Sequence, residues 1–144
     1  MKSILSSVHQ YSNWLVGALL IGVILLYLQP SNKRNIEPST DAQFQSLVAQ
    51  ETRPVLVKFG ATWCPPCVST DRALAEYEDS SDGEVKVVIM DVDKDPQISQ
   101  HYGVRAIPHS FLFLNGRVIG DRVGGMDVQA IRSWVKANER QWKQ

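Results

Sequence analysis

The chain has 144 residues, with 15 basic side chains against 15 acidic ones and two cysteines. A balanced charge without a basic block gives no electrostatic reason to expect nucleic acid as a partner. Two cysteines cannot build a disulfide framework, so the fold must rest on an apolar core, for which about 110 residues suffice.

The first stretch is set apart by its charge pattern: between Lys2 and Lys33 there is no Asp, Glu, Lys or Arg. Within it, "WLVGALLIGVILLYL", Trp14 to Leu28, would make a helix of about 22 Å, short of a hydrocarbon core of about 30 Å. Extension back to Tyr11 adds about 4 Å, and Tyr11, Trp14 and Tyr27 suit the two membrane interfaces. The following "QPSNKRN" has no small-x-small cleavage pattern, so a retained signal-anchor through residues 11–28 is preferred to a cleaved signal peptide. A buried globular helix is the third reading, disfavoured because the stretch is apolar all round. Lys2 on one side and Lys33 with Arg34 on the other do not choose an orientation. The expected organisation is an anchor over 1–28, a linker over 29–39 and one domain over 40–144.

The linker, "QPSNKRNIEPS", is polar with two prolines. "STDAQFQSLVAQ" then predicts a helix, with Ser39, Thr40 or Asp41 as cap and Phe44, Leu47 and Val48 at helical spacing. "PVLVKF", Pro54 to Phe59, predicts a central strand. A second helix should begin at the prolines after Cys64 and run to about Glu78, where "SSDG" breaks the chain. "VKVVIMDV", Val85 to Val92, predicts a buried strand, and "DPQISQHYG" a short helix stopped at Gly103. "SFLFLNGRVIGDRV" predicts two strands joined by a type I′ turn at Asn115-Gly116, ended by Gly124-Gly125. The last helix, "MDVQAIRSWVKANERQW", carries Val128, Ile131, Trp134 and Val135 on one face. The order α-β-α-β-α-β-β-α implies an α/β domain with a mixed sheet covered on both faces.

Both cysteines lie in "FGATWCPPCVSTD", Phe59 to Asp71. If the preceding strand feeds the helix, Cys64 falls at the helix N-terminus, where unpaired N–H groups and the macrodipole stabilise a thiolate. Cys67 then lies one turn in, shielded, and able to resolve a mixed disulfide. Proline is tolerated in this first turn because its missing N–H would have no helical partner. A zinc site would need two further ligands from among His9, His101 and His109, and a structural clip closing so small a loop would stabilise little. Redox exchange is therefore the favoured reading, with no metal and no cofactor.

From about Asp41 to the C-terminus the chain resembles the thioredoxin family. The resemblance rests on "VLVKFGATWCPPC", "VVIMDVDKDPQISQHYGVRAIP", "FLFLNGRVIG" and "VGG", of which W-C-x-P-C followed by Y-G-V-R-x-I-P is highly specific. It implies a thioredoxin fold, a cis peptide at Ile107-Pro108, Cys64 as nucleophile and Cys67 as resolving thiol. It also implies a shallow groove around Trp63, Ile107, Pro108 and Gly124 that takes an extended substrate strand. The implied partners are disulfide-bearing proteins and an upstream electron donor, either a thioredoxin reductase-like protein or a membrane thiol shuttle.

An Ile before the proline resembles the reducing members, and the absence of a long insertion after the active-site helix favours a generalist. A protein-disulfide reductase is thus expected, on the extracytoplasmic face by analogy with anchored relatives. The alternatives are an oxidase or isomerase, and a non-catalytic binding or chaperone module.

Two departures from the family stand out. Pro65 and Pro66 leave the Cys67 N–H as the one backbone donor between the cysteines for a Cys64 thiolate, which should make the dithiol more reducing. And where the family places a buried acid with a lysine on the neighbouring strand, this chain has Lys58 and Ile89. A buried unpaired lysine is costly. Asp71, four residues after Cys67 and on the same helix face, is the expected partner of Lys58 beneath Cys67, the alternative being two separately solvated charges.

Overall fold

The computed structural model describes residues 16–24, 36 and 38–143. The chain divides into two units, Met1–Asn32 and Lys33–Gln144. In the first, residues 16–24 are helical, with Val16, Leu19, Leu20, Ile21, Val23 and Ile24 exposed. The rest of the expected 11–28 anchor lies outside the described residues. Among the described residues no helix is long and apolar enough to cross a membrane.

In the second unit the elements follow the order α1 (Ala42–Val48), β1 (Val55–Gly60), α2 (Pro65–Ser80), β2 (Lys86–Asp91), α3 (Pro96–His101), β3 (His109–Leu114), β4 (Arg117–Val123) and α4 (Val128–Asn138), which runs into a 3₁₀ turn, Glu139–Gln141. The four strands stand in the order β2-β1-β3-β4. β1 runs parallel to β2 and antiparallel to β3, and β3 antiparallel to β4.

Local chemistry accounts for the ends of these elements. Asp41 is the α1 cap, its side chain accepting from the Phe44 N–H at 2.7 Å. Asp127 caps α4 through the Ala130 N–H in the same way. Asn115 and Gly116 both have positive φ, 49° and 75°, the pair of values a type I′ turn needs. The β3–β4 register shifts between Leu112 and Phe113, so that Leu112 faces Gly120 and Phe113 faces Val118; this bulge at Ile119 carries no signal in the local composition.

Each sheet face has its own core. Phe44, Val48, Val55, Val57, Phe59, Tyr102, Phe111 and Phe113 pack on the α1/α3 side. Leu56, Leu74, Tyr77, Leu112, Ile131 and Val135 pack on the α2/α4 side, joined there by half-buried Val128 and Trp134. The end of the expected linker belongs to the first of these cores: Ile36 packs against it, and the buried Ser39 donates its N–H to the Tyr102 hydroxyl at 3.2 Å.

Candidate active site

β1 ends at Gly60 and the chain turns directly into α2. Cys64 is the N-cap residue in extended conformation, and Pro65 and Pro66 occupy the first two helical positions. Those positions would otherwise present N–H groups without helical partners. Cys64 and Cys67 are joined in a disulfide, with their Cα atoms 5.2 Å apart. Cys67 is fully buried, whereas Cys64 retains 5% exposure. Cys64 is the outer and Cys67 the inner member of the pair, but Cys64 is less open than the expected exposed position, because Ala61, Val92 and Ile107 pack around the pair. The Cys67 N–H donates to the Cys64 carbonyl at 3.0 Å, so in this disulfide form the one expected thiolate donor is already engaged.

Two loops close on this turn. The Ile107-Pro108 peptide is cis, Pro108 is buried and Ile107 half-buried beside the cysteines. Gly124, with φ at 105°, donates its N–H to the Pro108 carbonyl at 2.8 Å. The next residues are held to α2 by Thr70, whose hydroxyl accepts from the Met126 N–H at 3.2 Å and donates to the Pro66 carbonyl at 2.9 Å. Trp63 is largely exposed, and its indole N–H donates to Asp93 Oδ2 at 2.7 Å, which orients the ring beside Cys64. Trp63, Ile107, Pro108 and Gly124 therefore all lie on elements that meet at the disulfide.

On the inner side, Lys58 is 1% exposed, although it sits in the middle of a buried strand. Its Nζ lies 2.5 Å from Asp71 Oδ1 on α2. Among the described residues that oxygen accepts no well-aligned hydrogen bond, so the contact is an ion pair rather than a directed bond. Ile89 is the β2 residue in register with Lys58. Gly60 decides the placement. A Cβ there would lie 2.5 Å from Lys58 Nζ and 3.1 Å from Cys67 Cβ, so the ammonium and the inner cysteine flank the same side-chain-free space. Gly60, Thr70 and Asp93 escaped the sequence reading. Nothing local marks the role of any of the three, since each acts through elements brought together by the fold.

An α/β sheet with a Cys-x-x-Cys disulfide at the start of a helix, facing a cis-proline loop, defines a thiol–disulfide exchange protein. The sequence profile of the thioredoxin family, described simply as Thioredoxin, matches residues 35–137, and the chain belongs to that family. It is 35% identical to the thioredoxin of Rickettsia felis over 96 residues, covering 67% of this chain and 91% of the relative. It is likewise 35% identical to the thioredoxin of Haemophilus influenzae over 95 residues, 66% of this chain and 89% of the relative. Among solved structures, a chain from work on the thiol-resolving mechanism of yeast mitochondrial 1-Cys peroxiredoxin via glutathione/thioredoxin systems superposes with a TM-score of 0.59 at 28% identity, covering 66% of this chain and 87% of that one. The protein is a disulfide oxidoreductase.

Proposed function

We propose that the protein reduces disulfides in other proteins. Cys64 attacks the substrate disulfide, forming a mixed disulfide and releasing one substrate thiolate. Cys67 then attacks Cys64 Sγ, releasing the second thiolate and closing the Cys64–Cys67 bond. An upstream dithiol donor restores the pair. The observation that carries this reading is the graded burial of two bonded cysteines at the α2 start, Cys67 fully covered and Cys64 slightly open. Trp63, Ile107, Pro108 and Gly124 form the substrate groove in this reading, with the backbone of Ile107 presented to an extended strand.

Cys67→Ser should trap substrates as mixed disulfides on Cys64, because attack survives while resolution is lost. Traps formed by Cys64→Ser instead would reverse the assignment. A net oxidising role is the second reading. It is favoured by the Lys58 ammonium beside Cys67, since stabilising a thiolate makes the disulfide a stronger oxidant. A measured potential near about −270 mV fits reduction, and one above about −180 mV fits oxidation.

The domain is, in the same proposal, tethered through residues 11–28 and placed outside the cytoplasm. The support is the charge-free apolar run from Trp14 to Leu28 and the exposed apolar side chains of the helix over 16–24. Carbonate-resistant membrane fractionation of the full chain, with reporters fused at the C-terminus, checks both. Recovery in the soluble fraction would remove the tether.

A further inference from the structure

Thioredoxin-like exchange accounts for the cysteines and the groove, but not for a cation buried beneath them. Lys58 projects from the β1 face that also carries Leu56, toward α2. Gly60 leaves the space into which its ammonium fits, with Cys67 on the far side. Directly across on β3 stands Ser110, whose buried hydroxyl has no hydrogen-bond partner among the described residues. A pocket of about 140 Å³ reaches Lys58 and Gly60 from the surface. It is lined by Lys58, Gly60, Asp71, Ile89 and Asp91 among others, and it is large enough for several waters.

The charges around the inner cysteine are unequal in their surroundings. Lys58 is 1% exposed, whereas the Asp71 side chain is 32% exposed, so water screens the carboxylate more than the ammonium. Asp91, at the end of β2, also lines the pocket; its Oδ1 accepts from the Asp93 N–H at 3.0 Å. The imidazole of His109 lies on the other sheet face, stacked on Phe111. The ammonium is therefore the charge beside Cys67 that water screens least. Asp71 supplies the counter-charge without which a buried lysine would favour its neutral form.

We propose that Lys58 is a positioning residue for charge: its ammonium holds the reduced site with one proton, rather than two, shared between Cys64 and Cys67 at neutral pH, and the pocket is the route by which the other proton reaches water. The inference rests on the redox reading of the cysteine pair. When a dithiol donor reduces the disulfide, two electrons break the Cys64–Cys67 bond and the donor's sulfurs close their own. Of the two protons the donor gives up, one stays on the cysteine pair and the other leaves past Lys58 and Asp71 to solvent.

The test is the pH dependence of the Cys64–Cys67 reduction equilibrium in the full chain, between about pH 5 and 9. Uptake of two protons changes the equilibrium constant a hundredfold per pH unit and uptake of one tenfold, about 30 mV for this two-electron couple. The pH at which the first regime gives way to the second should lie at least one unit lower in the wild type than in Lys58→Met, a tenfold change in thiolate population. Asp71→Asn, at a partly exposed helix position, should move the break in the same direction, and Lys58→Arg should restore part of the shift. If Lys58→Met alone does not fold, Lys58→Met with Asp71→Leu serves in its place. Break points that coincide across wild type, Lys58→Met and Asp71→Asn overturn the proposal, as does a break that moves the opposite way. Failure to reduce protein substrates would count against the reductase reading and leave this comparison to decide on its own.

Discussion

The two faces of the sheet solve the same packing problem with different chemistry. On the α1/α3 side, Phe44, Phe59, Tyr102, Phe111 and Phe113 form a chain of ring contacts with centroids 5.2–6.3 Å apart. On the α2/α4 side the aliphatic core gives way, near the cysteines, to Lys58, Thr70 and Ser110, all buried. One strand serves both: Val55, Val57 and Phe59 point one way, Leu56 and Lys58 the other. A period-two strand can thus stabilise the domain with one set of residues and set the chemistry of the dithiol with the alternate set.

Replacing a residue on each face should separate these roles. Phe111→Ala removes a buried ring packed against Phe59, Tyr102, His109 and Phe113 and should destabilise by about 3–5 kcal/mol, read by urea unfolding. The pH break of the redox equilibrium should not move. If it does, the division between faces fails.

Lys58→Met should come next, at up to about 3 kcal/mol. That lies at the low end for breaking a buried pair, because the partner left behind is one-third exposed. Adding Asp71→Leu should recover more than half of the loss, since a paired charge can often be replaced by apolar groups. Simply additive effects in this double-mutant cycle would mean that the two charges are not coupled.

A smaller effect is expected from Tyr102→Phe, which removes the hydroxyl that accepts from Ser39, at about 1 kcal/mol. It also tests an alkaline limit. Burial raises the phenol of Tyr102 above its ordinary value, the Ser39 N–H offsetting this in part, and burial raises that of Tyr77 as well. The folded state therefore keeps protons that the unfolded chain releases at about pH 10. Stability should be intact below that pH and fall as pH rises through the raised values. The fall should be shallower in Tyr102→Phe. The smallest effect is expected at the surface, where Glu51 is held below the usual carboxylate range chiefly by its hydrogen bond from Lys86. Glu51→Gln should leave the urea midpoint within scatter and leave both faces unchanged.

The Lys58–Asp71 pair was legible because it follows from two local rules, strand alternation at Lys58 and helix periodicity from Cys67 to Asp71. The space that admits the ammonium was not. Gly60 acts by having no side chain, and what enters such a gap depends on three elements meeting there. Trp63 and Asp93 are thirty positions apart and belong to separate loops, so no spacing links them. The near-complete burial of Cys64 likewise depends on Val92 and Ile107 arriving from other parts of the chain.

By itself, the sequence determined what short-range forces decide: the order of helices and strands, the Asn115-Gly116 turn, the helix start at Pro65, and the pairing chemistry of Cys64 with Cys67, three positions apart. Each depends on dihedral preference, apolar period or a neighbour within one turn. Only the tertiary structure decided which groups share low-dielectric space with the dithiol. Electrostatic effects there depend on distances of a few ångströms between β1, α2 and β2, and on how much water reaches each charge. Burial of Lys58 at 1% exposure beside an Asp71 left one-third open is a property of that packing, and no spacing along the chain encodes it.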